Sequence, residues 1–172
     1  MLSPVLDSCC FLFSLNTCRV KLVSIRMEKA QLSFNVQPFE GTLSITPVVD
    51  GTLLPEIVAA FEREQHFEPA GGYGGLIPEW FKFGALDKYF LGDFENDGYF
   101  ARMNRVYLLG CQCGEVGCWP LIARIRAEGE SVVWDSSEQP HRKERDYSGF
   151  GPFVFDAEQY REALAVLPST KR

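Results

Sequence analysis

Several stretches of the chain show a regular pattern of apolar and polar residues, and these stretches predict its strands. Apolar and polar residues alternate from Gln31 to Val36, which is typical of a half-buried strand. A second strand is expected at residues 43–49, although Pro47 makes its middle unfavourable. Four further strands are predicted at residues 105–110, 120–126, 131–135 and 152–155. The Glu128-Gly129 turn joins two of these into an antiparallel hairpin.

A first helix is indicated by apolar residues spaced three and four positions apart. Its apolar face is predicted to consist of Leu54, Ile57, Val58 and Phe61. Asp50 or Thr52 is expected to cap its first turn, because short polar side chains accept hydrogen bonds from free backbone amides there. Solvated positions are assigned to Glu56, Glu62 and Arg63.

The last helix has a readable start and end. Asp156 is the expected N-cap, and Gln159 follows three positions later, as in a capping box. Its buried face is predicted to comprise Tyr160, Ala163, Leu164 and Leu167, and Pro168 ends it. Most of the predicted strands follow one another along the chain, and helices are predicted at only two places. This order indicates an α+β fold, an antiparallel β-meander with two helices packed on one face.

The organisation along the chain is predicted to be simple. Residues 1–26 carry three of the six cysteines, and we interpret them as a disordered or start-site extension ahead of Met27. Residues 27–168 are expected to form a single α+β domain, followed by a tail at 169–172. Residues 67–100 are rich in glycine and aromatic residues and have no clear period. The glycine pairs at 71–75 lack the lysine of a phosphate loop and predict a mobile loop.

Composition and charge exclude some classes of function. Seventeen Lys and Arg oppose 23 Asp and Glu, which gives a formal charge of −6 and argues against a nucleic-acid binder. No apolar run approaches the roughly 20 residues that span a bilayer, so no membrane association is expected. No catalytic motif is recognisable. The sequence therefore favours a small acidic cytoplasmic, non-enzymatic protein that acts through a protein partner, steered by complementary charge.

The strongest candidate for chemistry is a cysteine loop between two predicted strands. Cys111, Cys113 and Cys118 lie within eight residues, among glycines that permit unusual backbone angles. Cysteine thiolates bind zinc tetrahedrally, so these three residues are candidate metal ligands. The fourth ligand is expected from the loop after the hairpin, with His141 ahead of Glu115 or Asp146.

Three other interpretations of the cysteine loop remain open. The cysteines would serve as small buried fillers in a tight turn, since cysteine is among the most buried residue types. They would form a redox or nucleophilic site, in which one thiol works with His141 as its base. They would form a disulfide such as Cys111–Cys118, although nothing in the chain requires an oxidising compartment.

The cysteine loop also carries a resemblance. Residues 110–121 (GCQCGEVGCWPL), 139–142 (QPHR) and 151–155 (GPFVF) resemble a group of small uncharacterised bacterial proteins. The resemblance implies a bacterial, cytosolic protein that starts near Met27. It implies no reaction.

Overall fold

The computed structural model describes residues 28–93 and 105–168. The predicted extension at 1–26, the tail at 169–172 and part of the aromatic stretch lie outside the described residues. Within them the chain forms, in order, β1 (Leu32–Phe39), β2 (Thr42–Val49), β3 (Thr52–Leu53), α1 (Leu54–Glu64), β4 (Tyr73–Gly74), α2 (Leu86–Tyr89), β5 (Val106–Cys111), β6 (Leu121–Glu128), β7 (Ser131–Glu138), β8 (Phe153–Asp156) and α3 (Ala157–Ala165). None of the described helices is long and apolar enough to cross a membrane.

The described strands form two antiparallel sheets, and the predicted α+β class is confirmed. One sheet has the order β1-β2-β3 and the other the order β4-β5-β6-β7-β8, with α3 packed on the larger sheet. Backbone hydrogen bonds join the two sheets at Ala30, which donates to Val154 (2.7 Å), and between Ile45 and Leu76 (2.8 Å). The four-residue α2 lies in the stretch at residues 67–100, where the sequence predicts irregular loops with one short helical turn.

Strand β2 runs through Pro47 without a break, contrary to the expectation that proline weakens its middle. Ile45 exchanges backbone hydrogen bonds with Leu76, on the side of β2 away from β1. Pro47 faces the same side, because alternate residues of a strand direct their backbone groups alike. On that side β3 pairs only with Val48 and Val49, so the missing N–H of Pro47 interrupts no ladder.

The core between α3 and the larger sheet is built on aromatic residues. Trp134, Phe155 and Tyr160 are fully buried. The indole of Trp134 donates to the Tyr160 hydroxyl (2.9 Å), which donates in turn to the carbonyl of Phe90 (2.5 Å). Burial raises the pKa of Tyr160 well above its usual value, so the hydroxyl stays protonated and both polar groups are satisfied.

The capping groups at the N-termini of α1 and α3 differ in part from those predicted. The N-cap of α1 is Leu53, with no side-chain cap, while Asp50 accepts instead from the amide of Gln31 (2.8 Å). The N-cap of α3 is Asp156, as predicted, and it accepts from the amides of Glu158 and Gln159. The capping box is wrong, because the Gln159 side chain binds the backbone of β1 at Leu32 instead.

Candidate metal centre

The cysteine loop connects β5 to β6 through two successive turns. Cys111 ends β5, and its carbonyl accepts from the amide of Gly114 (2.9 Å). The carbonyl of Glu115 then accepts from the amide of Cys118 (3.3 Å). Gly114 has φ +90°, and a Cβ there would lie 2.7 Å from the Trp80 ring. Glycine is therefore required at the position that folds the three cysteines together.

The three thiols of the loop converge. The Sγ atoms of Cys111, Cys113 and Cys118 all lie within 4.8 Å of one another. Cys111 is half-buried, and the other two are exposed. The interpretation of these residues as buried fillers is therefore wrong. All three are free thiols, so the structure contains no disulfide between them.

The pKa values of two of these thiols are shifted in opposite directions. A hydrogen bond from the backbone of Glu115 lowers the pKa of Cys113, and a second hydrogen bond with the Cys111 thiol adds to this effect. Burial raises the pKa of Cys111 to about 11, although the Cys113 amide donates to its sulfur (3.5 Å). Amides directed at sulfur favour the thiolate, the form that binds metals.

His141 lies beside the cysteine loop but outside the cluster of converging ligand atoms. Its Nε2 donates to the carbonyl of Gly117 (2.7 Å), the residue before Cys118. Its own amide donates to the side chain of Gln139 (2.6 Å), which fixes the backbone of the loop. Because neither ring nitrogen belongs to the converging group, coordination by His141 stays a prediction that requires the ring to move toward the sulfurs. The ring joins the two loops through its hydrogen bond to the Gly117 backbone.

The two weaker candidates for a fourth ligand are engaged locally. The carboxylate of Glu115 accepts from the amide of Gly117 (3.2 Å), and that of Asp146 accepts from the amide of Ser148 (2.8 Å). Neither belongs to the group of converging atoms. Within the described residues the cluster thus comprises three thiols and leaves one tetrahedral position without a protein ligand.

A network of buried charged and polar side chains lies next to the segment that contacts the cysteine loop. Glu62, assigned to a solvated position from the sequence, is instead 0% exposed. Its Oε1 accepts from the hydroxyls of Tyr73 (2.7 Å) and Tyr147 and from Nη1 of Arg145 (3.2 Å), and its Oε2 accepts from the amide of Gly71 (2.6 Å). Burial raises the pKa of both phenols, that of Tyr147 to about 12, so both remain donors. We call Glu62, Tyr73, Arg145 and Tyr147 the buried network.

The buried network fixes the segment at residues 69–72 against the cysteine loop. Arg145 Nη2 donates to the carbonyl of Pro69 (2.9 Å). The carbonyl of Gly71 accepts from the indole of Trp119 (2.8 Å), and that of Gly72 from the amide of Gln112 (3.0 Å). The segment at residues 69–72, part of which the sequence predicts to be mobile, forms a wall beside the cysteine loop, with backbone groups hydrogen-bonded on both sides.

A cavity of about 430 Å³ opens between this wall and the cysteine loop. It is lined by Pro69, Ala70, Gly71, Gly72, Cys111, Gln112, Cys118 and Trp119. Two of the three converging cysteines thus border this cavity, which is broadly open to solvent.

The position of Glu62 left a signal in the sequence. Glu62 follows Leu54 and Val58 at intervals of four residues, and these three are the buried residues of α1. Because Glu62 is charged, we predicted a solvent-exposed position for it, although the spacing of the apolar residues favoured burial. Arg145 left no comparable signal, because it lies in a loop of mixed charge.

Comparison with known proteins finds no similar protein. No family model, curated protein or solved structure matches this chain.

Proposed function

We propose that Cys111, Cys113 and Cys118 bind one zinc ion as thiolates, and that this ion is the functional centre of the protein. The observation that carries the proposal is the mutual distance of at most 4.8 Å between their Sγ atoms. A zinc ion with Zn–S distances of about 2.3 Å holds its sulfurs about 3.8 Å apart in a tetrahedron. A contraction of about 1 Å or less brings the thiols onto one ion.

The chemistry of the donor set supports zinc. Thiolates are soft ligands, and soft tetrahedral sites select zinc over calcium or magnesium, which prefer oxygen. The ion would tie both turns of the β5–β6 connection together, since Cys111 and Cys118 stand at its two ends. Metal binding would therefore stabilise the fold as well as supply a reactive centre.

Nucleophilic or redox chemistry by one of the thiols is the second interpretation, and one observation favours it. Cys113 is exposed, so reagents can reach it. A cysteine nucleophile also needs a base within hydrogen-bond reach. His141 donates from Nε2 to Gly117, and no hydrogen bond joins its ring to a thiol among the described residues. The geometry therefore gives less support to a cysteine–histidine pair than to a metal centre.

The zinc content of the purified protein tests the proposal. Full-length protein, prepared without chelator, is weighed by native and by denaturing mass spectrometry. We expect one zinc ion per chain in the native spectrum, and its loss in Cys113→Ser. Gln112→Ser is the matched control, because it changes an exposed neighbour of Cys113 without removing a thiol and should leave the zinc bound. Absence of metal from the wild type after zinc is supplied would refute the proposal, as would loss of zinc in Gln112→Ser and its retention in Cys113→Ser.

A non-enzymatic role through a basic protein partner stays a prediction that rests on the formal charge of −6. Association steered by charge weakens as salt screens it. We expect capture of such a partner to fall steeply between low and physiological salt. Capture that does not depend on salt would contradict this role.

A further inference from the structure

We infer that the cavity beside the cysteine loop binds a small thiol with an apolar body, whose sulfur takes the fourth position on the metal. This inference rests on the proposed function and names the ligand of the same site. The juxtaposition that carries it is the cavity of about 430 Å³, which is bordered by Cys111 and Cys118.

Among the residues that the structure describes, no fourth protein ligand joins the three thiols. Three ligands come from the cysteine loop, and no ligand atom of Glu115, Asp146 or His141 belongs to the converging group. Zinc sites with three protein ligands keep the fourth position for water or for a substrate, whereas closed four-ligand sites are structural. The observed donor set is therefore that of a metal that binds an exchangeable ligand.

The walls of the cavity specify an apolar occupant. Pro69, Ala70 and two glycines form one side, and Trp119 borders it with an aromatic ring. Four polar groups of these walls are already used: the carbonyls of Pro69, Gly71 and Gly72 accept hydrogen bonds, and the indole N–H of Trp119 donates one. A ligand thus meets a largely apolar lining.

The choice of a thiol follows from the metal. A fourth soft donor completes the same tetrahedral set that the three cysteines begin, and sulfur is preferred to oxygen there. The thiol would bind as a thiolate, releasing its proton to solvent and displacing the lighter ligand, and its apolar body would lie along the groups that line the cavity. The backbone of this wall is held by the buried network, so the cavity is formed before the ligand arrives and little ordering is needed on binding.

Cobalt(II) in place of zinc makes the fourth ligand visible. Full-length protein loaded with cobalt(II) is titrated, without oxygen, with benzenethiol and separately with phenol, and the absorption spectrum is recorded. We expect benzenethiol to produce a saturable change in the sulfur-to-cobalt charge-transfer band, and phenol to produce none.

Filling the cavity should prevent this change without touching the metal ligands. Ala70→Phe places a ring in the cavity, and we expect it to weaken benzenethiol binding about tenfold or more while cobalt affinity is unchanged. Ala127→Phe, at an exposed position of β6, is the control and should behave as wild type. If Ala70→Phe does not fold, Gln112→Trp, on the opposite wall of the cavity, replaces it.

The outcomes separate this inference from the proposed function. A wild-type protein that binds no cobalt overturns the metal centre itself. Cobalt binding with no response to benzenethiol, or a response that persists in Ala70→Phe, overturns the ligand site alone. His141→Ala decides the remaining question: if it alters the cobalt spectrum before any thiol is added, the imidazole holds the fourth position and the inference is wrong.

Discussion

The buried carboxylate of Glu62 makes a prediction that depends on the structure and not on the sequence pattern. The substitution Glu62→Gln preserves the shape of the side chain and removes its charge. Each oxygen of Glu62 faces only donors: a backbone amide on one side, and two phenols with a guanidinium on the other. In one orientation the N–H bonds of the new amide group point toward the Gly71 amide and in the other toward the Arg145 guanidinium, and neither of these groups can accept a hydrogen bond.

The expected cost is large because the partners remain buried. Arg145, with its side chain 4% exposed, loses the carboxylate with which it forms an ion pair. Removal of one member of a buried ion pair costs about 3–5 kcal/mol, since the other charge is left uncompensated. We expect Glu62→Gln to lower the free energy of unfolding by an amount in this range. Glu64→Gln, at an exposed position of the same helix, should change it by about 0.5 kcal/mol or less.

Urea denaturation followed by tryptophan fluorescence measures both variants. Trp119 lies against the segment that the buried network holds, so its emission also reports whether this wall of the cavity has moved. A double variant, Glu62→Gln with Arg145→Met, should recover part of the loss, because it removes the unpaired charge as well. The reasoning is refuted if Glu62→Gln is as stable as Glu64→Gln, or if the double variant is destabilised by the full sum of its two single changes.

Three further predictions concern other parts of the fold. Asp135→Asn should cost about 2 kcal/mol at pH 7, because the hydrogen bond from Arg124 lowers the pKa of Asp135 from 3.8 to about 2. The folded pKa is the lower one, so urea unfolding curves of wild type and variant should converge as the pH falls from about 4 to 2. Tyr160→Phe should cost about 1–3 kcal/mol in the same assay, because it leaves two buried polar groups without their partner, and an unchanged midpoint would contradict the bonds described. Gly114→Ala should weaken zinc binding in a chelator competition, whereas Gly129→Ala, where a Cβ meets nothing within 4 Å, should not; equal affinities would show that the tight turn is not needed.

Much of the fold is predictable from local patterns. The strand at Leu32 and the hairpin around Gly129 follow from alternation and turn residues, and the apolar spacing of α1 predicts a helix where one forms. What failed depends on distant contacts. The Gln159 side chain would cap its own helix in isolation, but in the folded chain it pairs with Leu32, 127 residues away. No local pattern encodes such a partner.

The convergence of the three thiols was predictable from the sequence, whereas the surroundings of the candidate site were not. Three cysteines within eight residues, with glycines at the turns, indicated convergence, and the sulfurs do converge. The wall formed by the 69–72 segment was missed, because its rigidity comes from Glu62 and Arg145, which are remote in sequence. A glycine-rich segment is mobile by its own propensity and becomes fixed only when other elements use its backbone groups.

X-ray absorption at the zinc edge of the full-length protein tests the central claim most directly, because it counts the sulfurs around the metal. We predict three sulfur ligands at about 2.3 Å and one lighter ligand in the absence of added thiol. Addition of benzenethiol should raise the count to four sulfurs. A shell with two or fewer sulfurs, or with nitrogen and oxygen alone, would contradict the convergence of Cys111, Cys113 and Cys118 on one ion.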